Sequence, residues 1–327
     1  QTLADSLRVL GPDNPDTLTS RNNLAHAYRS AGRLDQAIDL YEQNLTDRLR
    51  VLGPDNPDTL ASRGNLAYVY WSADRFDEAI PLFKQTLADS LRVLGADHPD
   101  TLASRNDLAS AYESAGRLEQ AIPLYEQNLA DRERILGADH PDTLTSRGNL
   151  ANVYESAGRL EQAIPLYERT LADRERILGA DHPDTLTSRG NLANVYESAG
   201  RLEQAIPLYE QTLADSLRVL GPDHPDTLTS RNNLAYVYWS AGRFDEAIPL
   251  FEQTLASSER VLGADNPDTL ASRHNLASAY CSAGRFDEAI PLFEQTLADS
   301  LRVLGPDNPD TLASRHNLAS AYCSAGR

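Results

Sequence analysis

Asn23, Asn65, Asn149, Asn191, Asn233, Asn275 and Asn317 fall in one column of a 42-residue period, with Asp107 in the remaining place. A carboxamide both donates and accepts, so it can bond either polar group of a peptide backbone. Three positions further on stand His26, Tyr68, Ser110, Asn152, Asn194, Tyr236, Ser278 and Ser320. After three more come Arg29, Trp71, Glu113, Glu155, Glu197, Trp239, Cys281 and Cys323. Tyr68 with Trp71, and Tyr236 with Trp239, therefore share one helix face as i, i+3 pairs. Both tryptophans of the chain lie in that last column. Exposed aromatic pairs are good anchors for a partner, and they are equally able to pack against a neighbouring hairpin.

Other chemistries are weaker. Asp97-His98-Pro99-Asp100 offers an imidazole between carboxylates, but several copies carry Asn in place of His and the spacing is not a strong ligand pattern. No nucleophile, base and orienting group stand together, and Ser30 with its copies reads as turn chemistry. We therefore expect no enzyme activity, no metal and no cofactor. Cys281 and Cys323, one period apart, should lie about 10 Å from each other in stacked units, too far for a disulfide.

The elements that position these columns follow from the period itself. Gly11 and Gly53 open the same phrase, Gly-Pro-Asp-Asn-Pro-Asp-Thr-Leu, 42 residues apart, and the phrase recurs to Gly305 with Ala for Pro and His for Asn in some copies. Such a fixed period signals a solenoid. Pro15 suits a first helical position with Asn14 as N-cap; His98 or His140 makes a poorer cap in other copies. Leu18, Leu24, Ala25 and Tyr28 share a face, and Gly32 suits a left-handed helix end. Asp74 replaces that glycine once. A second helix is expected from Leu34 to about Leu52, with Ala37, Ile38, Tyr41, Leu45 and Leu49 as its stripe. Pro81, Pro123 and Pro165 are expected near its start, where N–H groups lack partners anyway. The outcome is a stack of antiparallel helix hairpins, read as one elongated domain over residues 1–327 of about eight units, incomplete at both ends.

Leu24-Ala25-x-x-Tyr28, Gly32, Ala37 and Tyr41 resemble the tetratricopeptide repeat. The period of 42 rather than 34 residues, Asn-Asn-Leu-Ala-x-x-Tyr at Asn22–Tyr28 and Gly-Pro-Asp-His-Pro-Asp at Gly221–Asp226 are similar to the kinesin light chain type of that repeat. One departure is Arg21, present in all eight copies where the family often has an aromatic residue. The resemblance implies an all-α, right-handed superhelical solenoid whose first helices line a concave groove. It also implies a non-enzymatic scaffold for a protein or peptide, with the columns of Asn22, Asn23, His26 and Arg29 facing the groove. In kinesin light chains a similar asparagine row is implicated in cargo-peptide binding. On that basis the expected peptide-binding residues are Asn23, Asn65, Asn149, Asn191, Asn233 and Asn275, Tyr68, Trp71, Glu113, Asn152, Glu155, Asn194, Glu197, Tyr236 and Trp239. Each asparagine has a structural alternative, a bond to the neighbouring helix. Similar arrays also occur as sensor regions of bacterial signalling NTPases, and no phosphate-binding loop is present in this sequence.

The formal charge is −18, and it is spread over the repeats: residues 128–169 hold seven Asp/Glu against five Arg. This excess disfavours nucleic acid and anionic membranes and serves either solubility or attraction of a basic partner. A partner basic in the middle and apolar on either side would fit Asp107, Glu113, Glu155 and Glu197 between the aromatic pairs. No apolar run reaches the ~20 residues of a membrane span. Two free thiols point to a reducing, cytoplasmic setting. The chain starts with Gln and reads as a piece of something longer. It begins within a second helix and stops after a first one, so uncapped apolar faces suggest self-association as an alternative function. Residues 129–168 and 171–210 are identical, which implies recent duplication, natural or designed.

Overall fold

The computed structural model describes residues 2–327. Among them are sixteen α-helices and no strands. A short α1 (Thr2–Leu10) precedes seven hairpins and a last single helix. The hairpins are α2/α3 (Pro15–Ser30, Leu34–Leu52), α4/α5 (Pro57–Ser72, Phe76–Val93), α6/α7 (Pro99–Ser114, Leu118–Leu136) and α8/α9 (Pro141–Ser156, Leu160–Leu178). They continue as α10/α11 (Pro183–Ser198, Leu202–Val219), α12/α13 (Pro225–Ser240, Phe244–Leu262) and α14/α15 (Pro267–Ser282, Phe286–Val303), followed by α16 (Pro309–Ser324). The chain forms two compact units, one ending at Leu166 and one running from Tyr167. In the first, α2 to α7 pack each on the next and α7 on α8; in the second, α10 to α16 do the same.

The sequence dictates these bounds locally. Asn14 caps α2 by accepting from the Asp16 N–H at 2.9 Å. His98 does so for α6 through Nδ1 at 3.2 Å, the longer bond expected of a poorer cap. Gly32 ends α2 with φ 71°, and Asp74 takes the same left-handed turn with φ 56°. The expectation for proline needs correction. Pro81 is the sixth residue of α5, beyond the first turn, so its missing N–H removes a real intrahelical bond. The helix nevertheless continues, its opposite face anchored by buried Ala79, Ile80 and Phe83.

Ala37 at 0% and Tyr41 at 1% exposure lie in the apolar core between the helices. Around this core runs a second, ionic one. Arg21 is buried and donates to Asp47 on α3 at 2.6 Å. The same pair recurs as Arg63–Asp89, Arg105–Asp131, Arg189–Asp215 and Arg273–Asp299 at 2.5–2.8 Å. The arginine that departs from the family pattern is therefore the internal tie of these five hairpins. In α12/α13 the carboxylate is missing: buried Arg231 meets only Ser257 Oγ at 3.5 Å and the Pro222 carbonyl at 3.4 Å. Burial pulls its guanidinium below the usual arginine range, Arg260 adds to that shift, and Asp223 opposes it.

Exposed ties close six of the hairpins. Arg92, at the end of α5, clasps Asp55 in the loop before α4, and Arg134, Arg218 and Arg302 repeat this with Asp97, Asp181 and Asp265. The Arg92 hydrogen bond, opposed by partial burial, holds the Asp55 carboxyl below the usual range. Between hairpins, Tyr70 on α4 donates to Glu42 on α3, and Tyr154 to Glu126 and Tyr280 to Glu252 do likewise at 2.5 Å. Lys84, the sole lysine, replaces that glutamate once and sits over the Tyr112 ring at 5.4 Å.

Candidate functional site

The recurring columns converge in clefts between first helices, floored by second helices. In the first unit a cleft of ≈ 360 Å³ is lined by Arg29, Gly64, Asn65, Tyr68, Phe83 and Asp107, among others. In the second, a cleft of ≈ 510 Å³ gathers Gly190, Asn191, Asn194, Tyr209, Val219 and Asn233. Another of ≈ 530 Å³ gathers Tyr236, Trp239, His274, Asn275, Cys281 and Asn317.

The asparagine column divides in two. Asn65, Asn149 and Asn275 donate to the side-chain oxygens of Asn22, Asn106 and Asn232 on the preceding first helix, at 3.0, 3.1 and 3.4 Å. Asn317 meets His274 Nε2 at 3.0 Å. At these positions the amide is part of a ladder that joins hairpins. Gly64, Gly148 and Gly190 occupy the acceptor position in other copies, and none of them has a side chain with which to accept. Asn233, one period after Gly190, and Asp107, one period after Gly64, make no side-chain hydrogen bond among the described residues, and neither do Asn23 and Asn191. Solvent reaches Asp107 from the open side of its cleft. The cleft walls, with no donor among them bonded to it, push its carboxyl up to about 6.

The aromatic pairs are packed on themselves and still offer a face. Tyr68–Trp71 and Tyr236–Trp239 are edge-to-face with centroids 5.0 Å apart. The tryptophans are half-buried, whereas Tyr68 and Tyr236 are 39% and 44% exposed. Arg29 lies over the Tyr68 ring at 4.6 Å. The glutamates of the same column are held from below. Tyr125 on α7 donates to Glu113 at 2.8 Å, and the Tyr209 hydroxyl on α11 is shared as donor between the Asn194 amide oxygen and Glu197, the latter at 2.9 Å. Burial, then the Glu113 bond, raises the Tyr125 hydroxyl above its ordinary range; Ser110 opposes this. Asn152 is exposed and Glu155 half-buried on α8.

This pairing was visible in the sequence as a correlation: tyrosine at 125 and 209 accompanies Glu113 and Glu197, whereas Phe83, Phe251 and Phe293 accompany Trp71, Trp239 and Cys281. An apolar ring needs no acceptor above it, whereas Tyr125 and Tyr209 each use one; Tyr41, which accompanies Arg29, is the exception. The loop histidines are spent on caps, since His98, His140, His182 and His224 each accept an N–H two residues on. No group of three or more potential metal ligands exists among the described residues. Cys281 and Cys323 are free thiols. No described helix is long and apolar enough to cross a membrane.

Comparison with known proteins agrees with this architecture. The tetratricopeptide repeat family matches in overlapping stretches at residues 1–48, 16–90, 58–130, 106–175, 149–217, 193–260, 232–300 and 268–327. A Podosopora anserina protein called a kinesin light chain, with nearly identical TPR-like repeats, is 35% identical; the match covers 63% of this chain and 97% of that one, with TM-score 0.59. A signal transduction ATPase with numerous domains from Pyrococcus horikoshii, which has a tetratricopeptide repeat sensor, is 15% identical with TM-score 0.63, over 94% of this chain and 45% of that one. A Rap protein complexed with competence and sporulation factor is 13% identical with TM-score 0.52, over 92% and 80%. These last two likenesses concern the fold alone. No curated protein matches. Repeats of this kind generally serve as scaffolds for protein–protein interaction. Its period, its hairpins and these matches place the chain in the tetratricopeptide repeat family, with repeats of the kinesin light chain-like type.

Proposed function

We propose that this chain is a non-enzymatic scaffold that holds an extended peptide segment of a partner protein in the clefts between its first helices. The observation that carries this reading is the interrupted asparagine ladder. Asn191 and Asn233 share the ≈ 510 Å³ cleft, and neither amide is engaged by protein. A half-buried amide without a partner is a binding group awaiting one, because an extended backbone presents one donor and one acceptor at each residue. Val219 borders the same space and offers apolar contact to the peptide's side chains. Tyr236 supplies an exposed aromatic surface in the neighbouring cleft.

The test is selection of binders from a random peptide library, followed by titration of the best one. Losing two backbone bonds in the Asn191→Ala/Asn233→Ala variant should weaken affinity by about tenfold or more. Unchanged affinity would remove the amides from the account.

A second reading, self-association, is favoured by one observation. Second helices end in apolar residues left partly open, such as Leu91 at 40%, Val93 at 38%, Val219 at 42% and Val261 at 45%. Light scattering over a concentration series decides, and a strictly monomeric protein would eliminate it.

A further inference from the structure

We infer that the Gly64–Asp107 cleft is a subsite for a cationic side chain, lysine or arginine, of the bound peptide. This rests on the peptide-binding reading above and names what one cleft selects. Three observations meet at this place. First, Asp107 is the one carboxylate in a column otherwise made of asparagine. Second, it has no protein partner. Arg29 shares its cleft but lies over the Tyr68 ring, and the other acid lining the cleft, Asp100, adds negative charge.

Third, the gap in front of Asp107 is not demanded by packing. Gly64 lies inside α4, where glycine costs about 1 kcal/mol of helix stability relative to alanine. A Cβ built there would meet nothing within 4 Å, and its φ is ordinary. Three other copies carry asparagine at this position, and each joins the ladder as acceptor. Glycine thus sacrifices helix stability and a ladder bond, and what it leaves is open space beside an unpaired carboxylate. An incoming ammonium or guanidinium would fill that space and pair with Asp107. At the same cleft Asn65 offers an amide oxygen with no other hydrogen bond. A lone carboxylate is a poor divalent-metal site, so the ligand is a side-chain cation rather than a metal ion.

The experiment pans a random peptide library against the whole protein and against three variants, each checked for helical content. Asp107→Asn removes the charge. Gly64→Asn fills the gap with a residue that other copies carry there. Asp39→Asn makes the same change in net charge at an exposed acid of α3 remote from this cleft. The expected result is enrichment of one lysine or arginine in peptides bound by the wild type and by Asp39→Asn, lost in the other two. A selected basic peptide should bind about tenfold or more weakly to Asp107→Asn, and within about twofold of wild type to Asp39→Asn. Basic enrichment that survives in Asp107→Asn, or falls equally in Asp39→Asn, would overturn the subsite. Binders without basic enrichment would overturn it while leaving the groove standing. Recovery of no binders at all would overturn both.

Discussion

Arg231 is the buried arginine whose carboxylate is missing, and Ser257→Asp should restore it. In five other hairpins the same arginine faces an aspartate at 2.5–2.8 Å, with aspartate side-chain exposure of 9–23%. The site is therefore built for a carboxylate. Coulomb attraction at an effective dielectric near 20 is roughly 4 kcal/mol at 4 Å, and desolvating the new carboxylate returns much of it. Hydrogen bonds to charged groups give a net of about 1.5–3 kcal/mol, so we expect about 2 kcal/mol, or roughly a 30-fold slower local opening.

The sign of the pH dependence follows from the equivalent aspartates. Burial raises the Asp215 carboxyl, but bonds from Gln211, Arg218 and Arg189 outweigh it and hold it below the usual range. Asp299 is likewise lowered, burial being outweighed by Arg302 and Arg273. A lowered carboxyl stabilises the fold above its unfolded value of about 3.9 and loses that contribution as pH falls through the folded value. Amide hydrogen exchange in α12 and α13 is the assay, because a repeat array does not unfold as one two-state unit. Ser257→Asn, of the same shape without charge, is the control. Unchanged protection at neutral pH, or equal protection from Asn and Asp, would refute the reasoning.

Three further outcomes are expected. Asn128 is fully buried with neither amide atom bonded, while Thr86, Thr212, Thr254 and Thr296 bond the carbonyl four residues back from the equivalent position; Asn128→Thr should stabilise α7 by about 1–2 kcal/mol, read as slower exchange there. Asp107 carries a raised carboxyl in the free protein, which favours folding below the unfolded value of about 3.9 and loses that advantage as pH rises through about 6. Asp107→Asn should therefore stabilise at pH 7 by at most about 1 kcal/mol, given solvent screening, and not at pH 3.5, by thermal melting at both pH values. Lys84→Glu should recreate the tyrosine–glutamate tie at Tyr112 and slow exchange at the α5/α6 contact modestly, by about 0.5–1 kcal/mol.

Much of the fold is legible in the sequence because each repeat states its own boundaries. Asn14, Pro15 and Gly32 fix the ends of α2, and Leu34 and Leu52 bound α3 as the apolar stripe implies. The position of Pro81 was less legible, since a missing N–H looks the same near a helix start as one turn further in. Arg21 stood out as a departure, but its role depends on Asp47, a partner 26 residues away on another helix. The candidate site was legible as columns and not as bonds. Identical residues differ in state because the neighbour one hairpin earlier differs: Asn65 is engaged by Asn22, whereas Asn233 follows Gly190. Glu113 and Glu197 read as open acids in the sequence, whereas Tyr125 and Tyr209 lie beneath them and donate to them.

The central claim is that partner segments lie against the first helices where the ladder is interrupted. The most direct measurement is photo-crosslinking of a library-selected peptide that carries a photoreactive residue at each position in turn, with the attachment points mapped by mass spectrometry. The account predicts attachment to α4 and α6 or to α10 and α12, around Gly64, Asp107, Asn191 and Asn233. Attachment confined to the Arg92–Asp55 type of hairpin clasp, or to the outer faces of second helices, would contradict it.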